Sequence, residues 1–467
     1  RNRMFLQQKD AEMMESIVGE YAGLDKSVTA TTEQHPEVVQ YHCTDWDFIL
    51  SRAELNGMVV NVKDSKLTVE PPTTSGSEVL TFTYGANLLA FETEMDVRTQ
   101  FQATKATAWS YTDQQLIEET SSEPSVPPHG NLGCKDLGQI LDLQEYELVH
   151  GGKVTDQELK NWADAMLLKS RLAKIQGRLH SQGSLLVQPN TLVQIAGLGD
   201  RFNGLAFVSG VRHEIRNGNW LTWTQVGLSP DWFADRPEIL AAPASGLLPG
   251  IRGLQIGVVL QIEEDPDGED RILIQLPIVD PQGEGIWARV ASMDAGNERG
   301  MFFRPEVGDE LVVGFLNDDP RDPIVLGMLH SSQLPAPLQA EATNPEKGYI
   351  SREQLKLLFN DEVKSITLAT PGGHSLVMDD EGGAIEVTDS NGNTLTMDSA
   401  GITLKSAKDL ILEAQGKVTV KATQDLSLEG MNVNAKASAQ FKATGNGGAE
   451  VSTSAVAVLK GSLVQIN

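Results

Sequence analysis

The sequence is poor in cysteine, in aromatic residues and in positive charge. Cys43 and Cys134 are the two cysteines, and thiols so far apart in the chain make neither a disulfide framework nor a metal cluster. Lys and Arg number 37 against 64 Asp and Glu, which gives a net charge of −27. A surface this acidic repels phosphate backbones, so we expect no nucleic-acid partner.

Long hydrophobic runs are also lacking. No uninterrupted apolar run approaches the ~20 residues that a helix needs to cross a bilayer, and the start RNRMFLQQKD has no apolar core of the signal-peptide kind. We therefore expect a protein made in the cytoplasm without a signal peptide. Because residue 1 is Arg and not Met, we also expect a segment before it.

The chain has 467 residues, which is too long for one compact core and predicts two to four domains. Residues 1–235 mix helix and strand patterns. Thr155 and Glu158 form a capping-box pattern ahead of a helix over 156–176, with Gly177 as its C-cap. Further helices are predicted in DWDFILSRAELNG, which Thr44 caps, and in EMMESIVGEYAG, which ends near Gly23. Alternating apolar residues over 186–229 predict sheet.

A second domain is predicted over 254–332, after a linker at 236–253 that is rich in proline and alanine. Its apolar residues recur with the period of a β-strand. They are Leu254, Ile256, Val258, Leu260 and Ile262; Ile272, Ile274 and Leu276; Ile286, Ala288 and Val290; Leu311, Val313 and Phe315; and Ile324, Leu326 and Met328. Five short strands joined by turn-rich segments are typical of a small closed barrel with one apolar interior, such as an OB-fold.

A repeat is predicted over 363–467, after a second linker at 333–362. Apolar pairs at positions i and i+2 recur through it, beginning with Ile366 and Leu368. From Ile402 to Leu428 the spacing of these pairs is eight residues. Each unit has too little apolar surface to bury alone, so we expect a β-solenoid or an interwound β-prism. The small inward-facing aliphatic residues favour three chains wound about one axis.

Candidate sites of chemistry are few. His213 stands in VRHEIRN, but Asn217 takes the place where the second ligand of an H-E-x-x-H motif would stand, so we interpret His213 as structural. Asp265, Asp267 and Gly268 resemble the start of a calcium loop, yet Leu276 stands where the closing carboxylate is needed, which favours a hairpin turn. Because no catalytic or cofactor-binding motif is found, we expect no enzyme, no metal and no cofactor.

Several segments resemble a known family. PEVGDELVVGF and DDPRDPIVLGMLH resemble the OB-type domain of VgrG proteins and of contractile phage spikes. YHCTDWDFILSRAELNGM and LGDRFNGLAFVSGVRHEIRNGNWLTWTQVGLSPDWF are similar to the family's tail-hub domain. TPGGHSLVMDD and SNGNTLTMDSAGITLKS are similar to the start of its needle. The match begins inside the hub domain, so the resemblance implies that the hub is incomplete in this chain.

The resemblance implies a mainly β protein with some α-helix. It has a tail-hub domain of barrel-like sheet with helices at 1–235, an OB-fold barrel, and a C-terminal needle that is an interwound triple-stranded β-helix or prism. The implied assembly is a homotrimer at the centre of a contractile injection machine. It is assembled in the cytoplasm and then released or injected into a target cell, whose membrane it contacts transiently.

The resemblance also implies partners. Inner-tube and baseplate proteins would bind the hub, and a PAAR-type tip protein would bind the needle end, with effectors as further cargo. Leu463, Val464, Gln465, Ile466 and Asn467 are the predicted tip-binding residues, although they could equally complete the last needle turn. Two other functions stay open, a spike with an added hydrolase activity and a β-solenoid adhesin that binds glycans. The sequence does not separate type VI secretion, an extracellular injector and a phage.

Overall fold

The computed structural model describes residues 1–142 and 144–466, and the chain divides into two compact units. The first unit is Arg1–Leu334, and the second begins at Pro335. Four α-helices lie among the described residues, and strands account for most of the remaining regular structure. The prediction of a mainly β protein with some α-helix is therefore confirmed.

The helices all lie in the first unit as the structure describes it. They are α1 Asp10–Val18, α2 Asp45–Leu55, α3 Cys134–Ile140 and α4 Asp156–Leu172. The hydroxyl of Thr44 accepts a hydrogen bond from the Asp47 amide at 3.0 Å, and that of Thr155 accepts one from the Glu158 amide at 3.1 Å. These contacts satisfy amides that have no partner within the helix, so the predicted starts of α2 and α4 are confirmed.

Two predicted helix ends were wrong. The helix α4 ends at Leu172 and not near residue 176, and Gly177 lies in a strand. A Cβ at Gly177 would stand 2.1 Å from the Glu92 carbonyl oxygen, so this glycine permits close approach of two strands and does not cap a helix. The helix α1 ends at Val18, where Gly19 is the C-cap, and Gly23 lies in a later turn.

The N-terminal part of the first unit contains fourteen strands within the described residues. They are β1 Arg3–Lys9, β2 Asp25–Val28, β3 Gln34–Gln40, β4 Val59–Lys63, β5 Lys66–Glu70, β6 Thr81–Thr83, β7 Leu88–Met95, β8 Ala103–Ser110, β9 Gln115–Thr120, β10 Glu145–His150, β11 Ile175–Gln182, β12 Leu192–Ala196, β13 Gly204–Arg216 and β14 Asn219–Val226. The largest sheet has the order β6-β12-β13-β14-β11-β7, so the sheet predicted over 186–229 is confirmed.

Helix α4 covers a smaller sheet of order β10-β8-β9. Ala106 and Ala108 on β8 are buried against Leu159 and Ala163 on α4. Because alanine side chains are short, the helix lies close to the strand. A separate core is formed where α1 and α2 meet, with Met13, Met14 and Ile17 fully buried.

The barrel follows in the same unit. Its strands are β15 Gln255–Gln261, β16 Ile272–Gln275, β17 Ile286–Val290, β20 Glu310–Phe315 and β21 Pro323–Met328, and the two-residue strands β18 Ala295–Gly296 and β19 Arg299–Gly300 form a hairpin outside it. The barrel is closed in the order β15-β16-β17-β21-β20, which confirms the predicted small barrel. Val259, Ile274, Ala288, Leu311 and Val325 fill its interior.

On two strands of the barrel, the residues that point inward are not the ones predicted. The period-two pattern predicted Leu254, Ile256 and Leu260 as interior residues, but all three are exposed and Val259 points inward. On β21, likewise, Leu326 and Met328 are exposed while Val325 is buried. Both strands are apolar on two faces, and period alone cannot show which face is inward when both are apolar.

The second unit contains an antiparallel sheet of seven strands in chain order. They are β22 Glu346–Ile350, β23 Lys356–Asn360, β24 Ser365–Ala369, β25 Ser375–Asp379, β26 Ala384–Thr388, β27 Thr394–Asp398 and β28 Gly401–Lys405. The predicted linker 333–362 thus contains two strands. The signal in the sequence was the i, i+2 pair of Leu357 and Phe359, which has the same pattern as the pairs that follow.

Residues 406–466, as described, contain no helix or strand. The apolar pairs at Leu410 and Leu412, at Val418 and Val420, and at Leu426 and Leu428 lie in this segment, and their side chains are exposed. The repeat of eight residues that the sequence shows here is therefore not accompanied by pairing within the chain.

Candidate functional site

The strongest candidate for a functional surface is one face of the seven-stranded sheet. Side chains at i and i+2 of a strand share a face, and so do directly opposed residues on paired strands. The strand register therefore places two rows of apolar side chains on one face. The first row is Leu357, Leu368, Leu376, Val387, Leu395 and Leu404, and the second is Phe359, Ile366, Met378, Ile385, Met397 and Ile402. We call these two rows the apolar face.

The opposite face of the sheet differs in character. The residue between each apolar pair points to that side, and the row across the last five strands is Thr367, Val377, Glu386, Thr396 and Thr403. Four of these five side chains are polar. The sheet is thus amphipathic, and the apolar pairs that the sequence shows from Ile366 to Leu404 all lie on its apolar face.

The apolar face has no cover within its own unit. Among the described residues from 335 to 466, none is buried. Leu368 is 45% exposed, and on the last strand Leu404 is 54% and Ile402 is 74% exposed. Soluble monomers rarely expose a continuous apolar surface of this extent, and such a surface usually marks an interface between proteins.

Polar turns keep the strands of this sheet in register. The Asp389 carboxylate accepts hydrogen bonds from the amides of Asn391 and Asn393, each at 2.9 Å, in the turn between β26 and β27. The Asn393 and Asn391 side chains also donate to it. These bonds hold the pKa of the Asp389 carboxyl well below its usual range. Gly392 supplies the positive φ of 86° that the turn needs.

The predicted tip-binding residues lie beyond the sheet. Leu463, Val464, Gln465 and Ile466 are exposed, and Asn467 lies outside the described residues. Leu463 and Ile466 are 82% and 87% exposed. These values leave both interpretations open, and the tip platform stays a prediction.

A strongly buried group of charges lies in the N-terminal part. The Asp10 carboxylate on α1 accepts hydrogen bonds from Arg52 Nε at 2.5 Å and from Asn56 Nδ2 at 2.8 Å, both on or beside α2. His35 Nε2 on β3 lies 3.2 Å from it. Arg52 also pairs with Glu158 on α4 at 3.2 Å. The group joins four elements of the fold.

The pKa values of this group reflect the pairing. Burial by itself would raise the pKa of the Asp10 carboxyl, but the hydrogen bond with His35 and the charge of Arg52 outweigh it and lower that pKa to about 2. The hydrogen bond to Asp10 raises the pKa of His35. Because every charge has a partner here, we interpret it as structural.

The two motifs weighed for chemistry have structural contacts. The Asp265 carboxylate accepts hydrogen bonds from Arg271 Nη2 at 2.6 Å and from the amides of Asp267 and Glu269. A carboxylate engaged in this way closes a hairpin turn. His213 Nδ1 lies 3.0 Å from Thr222 Oγ1 and accepts from Trp220 Nε1 at 3.3 Å, across the strands β13 and β14.

Within residues 1–142 and 144–466, no group of three or more His, Cys, Asp and Glu side chains is placed to hold a metal ion. None of the helices described in this range is long and apolar enough to cross a membrane.

Three stretches of the chain match known protein families. Residues 1–217 match the Alg8 N-terminal domain, and residues 255–330 match the type VI secretion system and phage-baseplate injector OB domain. Residues 365–467 match the phage baseplate V C-terminal trimerisation domain. The second stretch coincides with the closed barrel, and the third begins at β24 of the amphipathic sheet.

Curated relatives are type VI secretion system spike proteins of Pseudomonas aeruginosa. VgrG4b is 28% identical over 248 residues, a match that covers 48% of this chain and 30% of VgrG4b. VgrG1b is 30% identical over 112 residues, which covers 22% of this chain and 15% of VgrG1b. The match to each of these two relatives thus spans less than a third of its length.

Solved structures that the chain resembles in part include tail and secretion proteins. One is the 43 kDa tail protein of prophage MuSo2 from Shewanella oneidensis, with a TM-score of 0.37 and 11% identity, covering 49% of this chain and 66% of that one. Another is the E. coli c3393 protein, a component of the type VI secretion system, with a TM-score of 0.26 and 14% identity, covering 70% of this chain and 74% of that one.

Proposed function

We propose that this chain, which belongs to the family of type VI secretion and phage-baseplate spike proteins, forms as a homotrimer the central spike of a contractile injection machine. The N-terminal part would join the inner tube and baseplate, the barrel would form a collar, and the C-terminal part would form the needle that carries the tip. Force from contraction would pass along this axis toward the target membrane.

The apolar face of the second unit is the observation that carries the proposal. Its two rows of side chains are exposed or half-buried in the single chain, and a sheet with one apolar face needs another apolar surface to pack on. The match of residues 365–467 to a trimerisation domain indicates what that surface is. Three copies with their apolar faces turned to a common axis would enclose one slender core.

The segment 406–466 fits the same arrangement. Its apolar pairs repeat every eight residues up to Leu428, and the described residues of the segment pair with no strand of their own chain. Strands that wind around two other chains take their hydrogen-bond partners from those chains. We therefore infer that this segment continues the needle as interwound strands.

The last residues of the segment are proposed to bind the tip protein. Leu463, Val464 and Ile466 are exposed apolar side chains at the far end of the repeat, and in three copies they would form a small platform. A tip protein of the PAAR type is the partner proposed for this platform. Effectors would be carried by the tip or the needle, and the assembled spike would leave the cell in which it was made.

The proposed role is mechanical, and we propose no enzymatic activity. The buried group around Asp10 and Arg52 is fully paired and joins structural elements, so it has no free acid or base to offer a substrate. An added hydrolase would need a constellation of side chains that forms only between copies.

The mass of the purified protein in solution tests the proposal. Light scattering should give three times the chain mass, and the trimer should resist mild heating because interwound chains separate only by unfolding. A monomer over the accessible concentration range would overturn the proposal. A β-solenoid of single chains, as in an adhesin, would then fit better.

A further inference from the structure

Lys174 is a buried lysine that has no carboxylate partner among the described residues. It lies two residues beyond the end of α4 and is 8% exposed. Its ammonium donates a hydrogen bond to the Leu132 carbonyl oxygen at 2.9 Å, and burial lowers its pKa. An ammonium has three donors, and a lysine is almost never fully buried unless its charge is paired. One carbonyl contact does not provide that pairing.

The neighbouring Arg171 shows how a buried cation is usually paired. Its Nε and Nη2 donate to the two carboxylate oxygens of Glu123 at 2.8 and 3.0 Å, and its Nη1 donates to the Phe101 carbonyl oxygen at 2.7 Å. Lys135 also pairs with Glu123, at 3.4 Å. This one carboxylate therefore serves two other cations, and the charge of Lys174 is left uncompensated.

A small cavity lies beside this lysine. The ionisable side chains that line it are those of Lys174, His129, Cys134 and Arg171, and apolar side chains such as Phe207 form much of the remaining wall. The volume of the cavity is about 30 Å³. This is enough for one water molecule or for one ion of similar size, and it is too small for an organic anion.

The other titratable groups of the cavity do not supply the missing negative charge. Burial raises the pKa of the Cys134 thiol, so the thiol is neutral at neutral pH. Burial, and after it the positive charge of Lys174, lowers the pKa of His129 to about 4, so the imidazole is neutral as well. The His129 Nε2 atom lies 3.2 Å from the Phe202 carbonyl oxygen. The one net charge beside the cavity that lacks a counter-charge is thus positive.

We propose that this cavity binds a small inorganic anion, such as chloride, which pairs with the ammonium of Lys174. A water molecule would fill the same space but would leave the buried charge without a counter-charge. The walls of the cavity come from the segment 126–134, from the end of α4 and from β13. A bound anion would therefore stabilise the contact of these three elements. The inference concerns the first unit alone and does not depend on the proposed trimer.

Thermal unfolding in two sodium salts tests the inference. The full chain is unfolded in sodium chloride and in sodium gluconate at equal ionic strength, and the first unit is followed by tryptophan fluorescence. An ion that binds only the folded state raises its stability as the ion concentration rises. Because gluconate is too large for the cavity, chloride should raise the Tm of the first unit by about 2 °C or more above the value in gluconate.

A matched pair of lysine variants shows whether the effect belongs to this cavity. Lys174→Met should abolish the difference between the two salts, because the charge that holds the anion is gone. Lys66→Met, at an exposed position of β5 in the same unit, should keep the difference. In gluconate, Lys174→Met should be at least as stable as the natural protein, because it buries no unpaired charge.

Two results would overturn the inference. One is equal stability of the natural protein in both salts, and the other is a difference between the salts that persists unchanged in Lys174→Met. If Lys174→Met does not fold, crystals of the natural protein grown with sodium bromide decide the matter by anomalous scattering. Bromide in contact with Lys174 Nζ is the expected result, and no bromide at this place would overturn the inference.

Discussion

The Asp10 carboxylate lies 2.5 Å from Arg52 Nε, and the Asp10 side chain is almost fully removed from solvent. The two residues lie on different helices, and His35 and Glu158 add contacts from a strand and a third helix. A single ion pair thus ties together elements that are far apart in the chain. Its removal should show how much the N-terminal part depends on it.

Replacing Asp10 with alanine should lower the free energy of unfolding of the first unit by about 3 kcal/mol, because Arg52 would be left buried without its closest counter-charge. Urea unfolding followed by tryptophan fluorescence measures this, since every tryptophan of the chain lies before Leu334. Asp200→Ala, at an exposed loop position, is the control and should change little. Equal loss in both variants would contradict this account of the pair.

The stability of the first unit should fall with rising pH because His35 loses its proton. Its folded pKa is raised by Asp10, so its contribution to stability is complete below the unfolded value of 6.5 and is lost as pH rises through the folded value. Arg52 and Glu158 are the other charged groups that face it. His35→Gln should remove this decline. The urea concentration at the midpoint of unfolding, measured on both sides of neutrality for both proteins, checks this prediction. If the stability of His35→Gln falls with pH as steeply as that of the natural protein, a group other than His35 causes the decline.

Acid should weaken the unit through Asp10. Its pKa is lowered to about 2 from 3.8, so the ionised form contributes stability above 3.8 that disappears as pH falls through about 2. That difference corresponds to about 2 kcal/mol. The free energy of unfolding of Asp10→Asn should change less with pH over this range than that of the natural protein.

A structural feature could be predicted from the sequence where the residues that determine it lie close together in the chain. The caps at Thr44 and Thr155 act within four residues, so the starts of α2 and α4 could be predicted. The end of α4 could not, because Gly177 serves contact with Glu92 on a strand distant in the chain. For the same reason the group around Asp10 left no local signal, since His35, Arg52 and Glu158 meet it only in the fold.

The apolar face could be predicted better than the barrel. Its pairs alternate with polar residues, so period two identified the face and the start of the repeat, although Leu357 and Phe359 were assigned to a linker. In the barrel, β15 and β21 are apolar on both sides, and only the closed structure shows that Val259 and Val325 point inward. The outward apolar residues of these two strands were therefore visible in the sequence but were assigned to the interior.

Gly177→Ala should destabilise the first unit by about 1–3 kcal/mol, because the added methyl group would meet the Glu92 carbonyl and Thr93 backbone of the neighbouring strand. Gly151→Ala is the matched control, since nothing lies within 4 Å of a Cβ built there. Thermal unfolding of both variants gives the comparison. A tolerated alanine at 177 would mean that the pairing of β7 and β11 adjusts more readily than the structure indicates.

Deleting residues 462–467 should abolish binding of a PAAR-type tip protein and leave the trimer intact, because the proposed platform lies beyond the repeat that joins the chains. Binding is measured by calorimetry with the purified tip protein, and the mass by light scattering. Leu463→Ser together with Ile466→Ser should weaken binding in the same direction. Undiminished binding after the deletion would reject the platform.

The central claim is that the apolar face holds three chains together, and two adjacent residues of β24 test it most directly. Leu368 points to the apolar face and Thr367 to the opposite one. Each is changed to glutamate in the full chain, and the mass is measured by light scattering. The account predicts a trimer for Thr367→Glu and a loss of trimer for Leu368→Glu, because three buried carboxylates would have no partners. Trimers from both variants would contradict it.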